Sequence, residues 1–164
     1  MSKKSLFKIV LVEPEIPQNT GNIGRTCVGT CCELHLVGHL GFEISDRTLK
    51  RAGLDYWQHL DWYRHNELED CLKLVAPGER VFYFSTKAKK NIFEIKFQPG
   101  DWLIFGRETK GLPESLVQRN LDHAMKIPMP GKVRSLNLAT AVAVVIYEGL
   151  RQSEIPSLSE TVFS

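Results

Sequence analysis

The residue types best suited to chemistry sit in two stretches of the C-terminal third. One is Leu103-Ile-Phe-Gly-Arg-Glu-Thr-Lys-Gly-Leu-Pro113. The other is Ile127-Pro-Met129, leading into Arg134-Ser-Leu-Asn-Leu138. Each carries an apolar strand into a loop of small and polar residues at the mouth of a helix. Gly106 and Gly111 leave backbone bare where a ligand would approach, so free N–H and C=O groups can read an adenine edge or a ribose. The sequence offers no phosphate cradle: 106–111 lacks the Gly-Lys-Ser/Thr ending of a P-loop, and Gly21-Asn-Ile-Gly24 is not Gly-x-Gly-x-x-Gly. A nucleoside cofactor without phosphates suits such a pocket, and S-adenosylmethionine answers that description.

A second candidate lies near the N-terminus. Ile23, Cys27 and Cys31 recur at i, i+4 and i+8 and predict the buried stripe of a helix over 21–32. Arg25, about 200° around from Ile23, points away from that stripe. Gly21 and Gly29 sit one turn either side of it, each costing the helix on the order of 1 kcal/mol relative to alanine. Bare backbone around a guanidinium suits an approaching substrate phosphate or ribose; the alternative is a surface arginine with incidental glycines. His35 and His39 have zinc-protease spacing, but 34–37 reads as a strand, whose four-residue span of about 13 Å is too long for one ion. No metal is expected. Lys87, Lys89, Lys90 and Lys96 form one basic cluster, and Arg47, Lys50 and Arg51 another. Both read as solvated surface, or as phosphate contacts if the substrate is RNA.

The elements that must position these groups alternate in type. Strands are predicted at 7–12, 34–37, 81–84, 102–105 and 124–127. Helices are predicted at 21–32, 46–52, 66–75, 113–120 and 137–151. Short apolar strands between helices indicate a mostly parallel α/β sheet covered on both faces. The 164 residues suit one domain over 1–164, with a loose Ser-rich tail from Pro156. A net charge of +2 leaves any nucleic-acid binding to local patches. The apolar runs are too short for a signal peptide or a membrane span. Cys27, Cys31, Cys32 and Cys71 form no Cys-x-x-Cys pair and read as reduced thiols of a cytoplasmic protein. Trp57, Trp62 and Tyr63 are expected in the core or an interface.

The last helix is apolar around most of its circumference, leaving Asn137, Thr140, Tyr147 and Arg151 near one stripe. Such a helix must be covered on most sides. A homodimer interface that includes Val142 is the economical cover; a central place in the protomer core is the alternative.

Three of these stretches together resemble the motifs of the SPOUT RNA methyltransferases. They are Asn19-Thr-Gly-Asn-Ile-Gly-Arg25, Phe105-Gly-Arg-Glu-Thr-Lys-Gly-Leu-Pro113, and Ile127-Pro-Met129 with Arg134-Ser-Leu-Asn-Leu138. Arg51-Ala-Gly-Leu-Asp-Tyr56 and Val144-Val-Ile-Tyr-Glu148 resemble the TrmL (YibK) branch. The likeness runs from about Ile9 to Gln152, with Arg107 standing where the family usually has proline.

The resemblance implies a parallel α/β sheet whose C-terminal segment threads a deep trefoil knot, a rare exception to unthreaded chains. It implies an S-adenosylmethionine pocket made by Phe84, Thr86, Gly106, Glu108, Gly111, Ile127, Met129, Ser135 and Leu136. RNA contacts would come from Asn22, Arg25, Arg51 and Arg134. The implied activity is 2′-O-methylation of cytidine or uridine 34 in leucine tRNAs by a homodimer, with the anticodon stem-loop as the small recognised target; the alternatives are methylation of ribosomal RNA or another tRNA position, and a non-catalytic RNA-binding or assembly factor. Arg25 would then do electrostatic work, since a guanidinium is an awkward base. Tyr147 would orient Arg25 or the nucleotide across the interface, or else be an interface tyrosine with a capped hydroxyl.

Overall fold

The protein is described here by a computed structural model, in which residues 4–45 and 55–153 are placed. Seven strands form one sheet: β1 (Lys8–Val12), β2 (Glu33–Val37), β3 (Trp62–His65), β4 (Val81–Phe84), β5 (Lys90–Asn91), β6 (Trp102–Phe105) and β7 (Ala124–Lys126). Their order is β3-β2-β1-β6-β4-β7-β5, and every pairing is parallel. The expected α/β class is therefore present, and β6 and β7 are inserted between strands that precede them in the chain.

Strand alternation sends side chains to two cores. Ile9, Leu11, Leu34, Leu36, Phe82, Phe84, Leu103 and Phe105 face α1 (Pro17–Thr30) and α4 (Leu138–Gln152). Val10, Val37, Tyr83, Trp102 and Ile104 face α2 (Leu68–Leu72) and α3 (Glu114–Arg119). The central strands β1 and β6 are buried on both faces, which is why they read as unbroken apolar runs.

Four expectations are corrected. Helix α1 starts at Pro17 rather than Gly21, because proline at the first helical position presets φ and gives up an N–H with no partner anyway. It ends at Thr30, so Cys31 turns out in the left-handed region (φ 57°) and is exposed, while Cys32 is buried in its place. Strand β3 was not expected, since its Tyr63 and Arg64 are exposed on the sheet edge and give it no apolar run. Val142 is fully buried within the protomer, together with Val145 and Ile146. The apolar circumference of α4 is thus largely covered by its own chain, packed against α1. The helix expected at 46–52, Arg51 with it, and the tail from Pro156 lie outside the described residues.

Candidate active site

At the C-terminal ends of β4, β6 and β7 the chain encloses a cavity of about 230 Å³. Open parallel sheets bind ligands at this end of their strands. Phe84 and Phe105, the last residues of β4 and β6, stack with ring centroids 4.6 Å apart and planes inclined by 10°. They form an apolar wall. Thr86 follows on one side, Ile127 and Met129 leave β7 on another, and Ser135 and Leu136 approach just before α4. Gly106, Glu108 and Gly111 supply the remaining lining. All nine residues expected around a cofactor therefore border one cavity.

Of the two glycines, only Gly111 leaves the space expected for a ligand. A Cβ on Gly106 would lie 2.1 Å from backbone atoms of Gly111 and Leu112, so the space at its Cα is filled by the loop itself rather than by a ligand. Gly111 has φ +65°, in the left-handed region, and open space where its Cβ would be. A bridge between Arg107 and Gly111 closes the loop, with the Gly111 N–H donating to the Arg107 carbonyl at 3.0 Å. The Arg107 guanidinium pairs with Glu13 just after β1.

Glu108 borders the cavity, yet its carboxylate is committed elsewhere. It accepts from the backbone N–H groups of Glu15 (2.8 Å) and Ile16 (3.0 Å) and from the Asn19 side-chain amide (3.3 Å). Ile16 caps α1 but offers no side-chain oxygen, so Glu108 does that work from across the sheet. Asn19 in turn accepts from the Asn137 amide at 3.0 Å, and Asn137 caps α4 through Ala139 and Thr140. One polar chain thus joins the 106–111 loop to the starts of both long helices. Glu15 adds a second tie by accepting from the Thr109 hydroxyl and N–H, which hold its carboxyl below the ordinary range.

Arg25 lies exposed on α1, turned away from Ile23 and Cys27 as expected. Its guanidinium sits 5.8 Å from the ring centroid of Tyr56, whose hydroxyl donates to the Gly21 carbonyl. Burial pushes the Tyr56 phenol up, and the neighbouring Arg25 charge opposes that shift. Tyr56 and Asn19 were not singled out as site residues, although both belong to motifs legible in the sequence. A polar residue in the glycine-rich start of a helix and an aromatic ending Arg51–Tyr56 were the available signals.

The remaining candidates are more scattered. Arg134 lines the cavity mouth, and Asn22 is exposed one turn before Arg25 on α1. Neither Arg25 nor Tyr147 borders the cavity; Tyr147 is 57% exposed on the outer side of α4. Of the basic cluster, Lys87 is paired with Glu114 at 3.0 Å and Lys90 donates to the Asp122 carbonyl. Lys89 and Lys96 are exposed. Among the described residues no helix is long and apolar enough to cross a membrane.

Known proteins share this arrangement. A tRNA (cytidine(34)-2′-O)-methyltransferase from Saccharophagus degradans is 46% identical over 148 residues, covering 90% of this chain and 96% of its own. A solved structure described as giving structural insights into 2-OH methylation of C/U34 on tRNA superposes with a TM-score of 0.84 at 47% identity, covering 92% of this chain and 97% of that one. An AdoMet-bound rRNA methyltransferase from Sinorhizobium meliloti superposes at 0.74 with 25% identity, over 91% of this chain and 57% of that one. The sequence profile of the SpoU rRNA methylase family matches residues 6–147, nearly the whole described region, and this chain belongs to that family.

Proposed function

We propose that this protein methylates the ribose 2′-oxygen of nucleotide 34, cytidine or uridine, in leucine tRNAs, using S-adenosylmethionine. The observation that carries this reading is the convergence of 84–86, 106–111 and 127–136 on one cavity at the strand ends. The fit to a nucleoside rests on that cavity's chemistry. Gly111 has open space at its Cα, the Phe84–Phe105 pair offers an apolar wall, and 106–111 presents backbone polar groups in a fixed loop. Position 34 comes from what the relatives are named for, and leucine tRNA from the TrmL-type motifs.

S-adenosylmethionine, when bound, supplies an electrophilic methyl for an in-line displacement, in which positioning can lower the barrier by roughly 7–11 kcal/mol. The protein's part is to place the hydroxyl and to steady charge. The Arg25 guanidinium holds the phosphate beside the reacting ribose and stabilises oxyanion character on the 2′-oxygen. Tyr56 positions Arg25 from beneath. Arg134 and Asn22 contact the RNA, with Arg51 as a further contact by its place in the motif. The displacement needs no metal.

The same reading extends to architecture. The chain is one domain, its C-terminal segment threads a trefoil knot, and it acts in the cytoplasm as a homodimer. The outer stripe of α4, with Thr140 and Tyr147 exposed, supports a dimer seam. Tyr147 then reaches the second protomer's Arg25 or the bound nucleotide. Single-turnover methylation of a leucine tRNA anticodon stem-loop, with the modified nucleotide mapped, tests the proposal. Methyl transfer to ribosomal RNA or another tRNA position, with none at nucleotide 34, would replace it.

A further inference from the structure

On the α2–α3 face of the sheet, at the β2–β3 edge, three potential metal ligands meet that the methyl-transfer site does not use. One ring nitrogen from each of His35 and His65 and the Cys71 Sγ all lie within 4.8 Å of one another. His35 and Cys71 are buried and His65 is half-buried. In the strand order this cluster lies beyond β1, on the far side of β6 from β4 and β7. It comes from β2, β3 and α2, elements that no sequence spacing links. We infer that His35, His65 and Cys71 form a binding site for one borderline-soft divalent cation of the zinc type, which pins α2 to the edge of the sheet.

The donor chemistry is the first argument. Two imidazoles and one thiolate suit zinc and select against magnesium or calcium, which take oxygen ligands. The second is the state of His35. Its Nε2 lies 3.1 Å from a Glu33 carboxylate oxygen, so that nitrogen carries the proton and Nδ1 keeps its lone pair. A carboxylate on the far nitrogen is how metal-bound histidines are commonly oriented and made more basic. Glu33 alternates with His35 along β2 and lies on the same face, so the strand itself fixes this arrangement.

The third argument is the contact between the rings. His35 Nδ1 and His65 Nε2 are 3.0 Å apart with the ring planes inclined by only 13°. One proton therefore occupies the place between two aimed nitrogens. A cation would take that place, the His65 proton moving from Nε2 to Nδ1 by way of solvent, and the nitrogens would open to the roughly 3.3 Å that tetrahedral zinc with bonds of about 2.0 Å requires. His65, on an edge strand and half-buried, has room to turn. The Tyr63 ring stacks on His35 and the Trp102 indole packs against it at a tilt, each with centroids 4.9 Å away, and together they hold that ring still. Cys71 must lose its proton on binding, although burial alone pushes its thiol up to about 12. Binding therefore releases a proton and weakens as pH falls.

The test uses the whole protein, reduced and stripped with a chelator, then titrated with cobalt(II) as a spectroscopic probe. The expected result is one equivalent bound, with the visible bands of tetrahedral cobalt and a near-ultraviolet thiolate-to-cobalt band, both displaced by zinc. Cys71→Ser should lose the thiolate band, and His65→Ala should weaken binding at least 100-fold with unchanged circular dichroism. Glu33→Gln should weaken it by about 10- to 100-fold, the usual effect of removing such a supporting group. Zinc should raise the unfolding midpoint of the parent protein and not of Cys71→Ser. Absence of the thiolate band in the parent protein under excess cobalt overturns the proposal, as does its persistence in Cys71→Ser.

Discussion

The carboxylate of Glu108 lies 3.3 Å from the side-chain amide of Asn19, a residue 89 positions away in the chain. The same carboxylate satisfies two backbone N–H groups at the start of α1, so the cavity loop and the helix bearing Arg25 share one anchor. Glu108→Ala should lower stability by about 1–2 kcal/mol, the size of a lost helix cap. It should also weaken S-adenosylmethionine binding, because 106–111 lines the cavity. Urea denaturation and calorimetry measure the two effects; a stable variant with unchanged affinity would show the anchor to be dispensable.

Arg25→Ala is expected to leave cofactor affinity nearly unchanged and to slow single-turnover methylation by about 100- to 1,000-fold, as for loss of one charge-stabilising donor. Arg25→Lys should recover little, because a point charge cannot replace a planar fork. Near-parental methylation by the alanine variant would remove Arg25 from the mechanism.

Tyr56 supplies both a ring beneath Arg25 and a hydroxyl bound to Gly21. Tyr56→Leu removes both and should lower kcat with little change in cofactor affinity. Tyr56→Phe keeps the ring and should retain most of the activity. Equal losses in the two variants would assign the effect to the hydroxyl and its hold on α1.

Acid stability should depend on Glu79. Burial alone would raise its pKa from the ordinary 4.5, but hydrogen bonds from Lys8, the Trp102 indole and the Ala76 N–H outweigh it and bring the value to about 2. A depressed carboxyl contributes stability that is present above pH 4.5 and is lost as pH falls through 2. Glu79→Gln should therefore be less stable than the parent at neutral pH and lose less between pH 4.5 and 2. Thermal unfolding midpoints across that range check the sign.

The two faces of α4 predict opposite outcomes. Val142→Glu puts an unpaired charge into the protomer core and should prevent folding. Tyr147→Asp changes an exposed side chain and should yield a folded monomer in sedimentation. A dimeric Tyr147→Asp variant would move the dimer seam off this stripe.

The cavity was legible because its chemistry is local. Glycines, strand ends and capping residues lie within a few positions of one another in 105–113 and 127–138, so type and spacing carried the message. What the sequence hid depends on tertiary partners. In the sequence Glu108 reads as a ligand group, whereas its carboxylate accepts from Glu15, Ile16 and Asn19. Val142 looked like interface because an apolar circumference does not say whose atoms cover it. The spacing of His35 and His39 along a strand argues against a shared ion, whereas the actual neighbours of His35 are His65 and Cys71, from the next strand and a helix. The start of α1 was legible and missed: Pro17 marked it.

The close approach of Gly106 to the Gly111–Leu112 backbone separates two kinds of information. The loop closes on itself where main-chain atoms meet main-chain atoms, whereas the side chains of Arg107, Thr109 and Lys110 are exposed, with Arg107 held by Glu13 and Thr109 by Glu15. A change at Lys110 can alter what the rim of the site recognises while the cradle keeps its form. Adding a single methyl at Gly106 would do the reverse, keeping every recognition group and losing the frame that presents them.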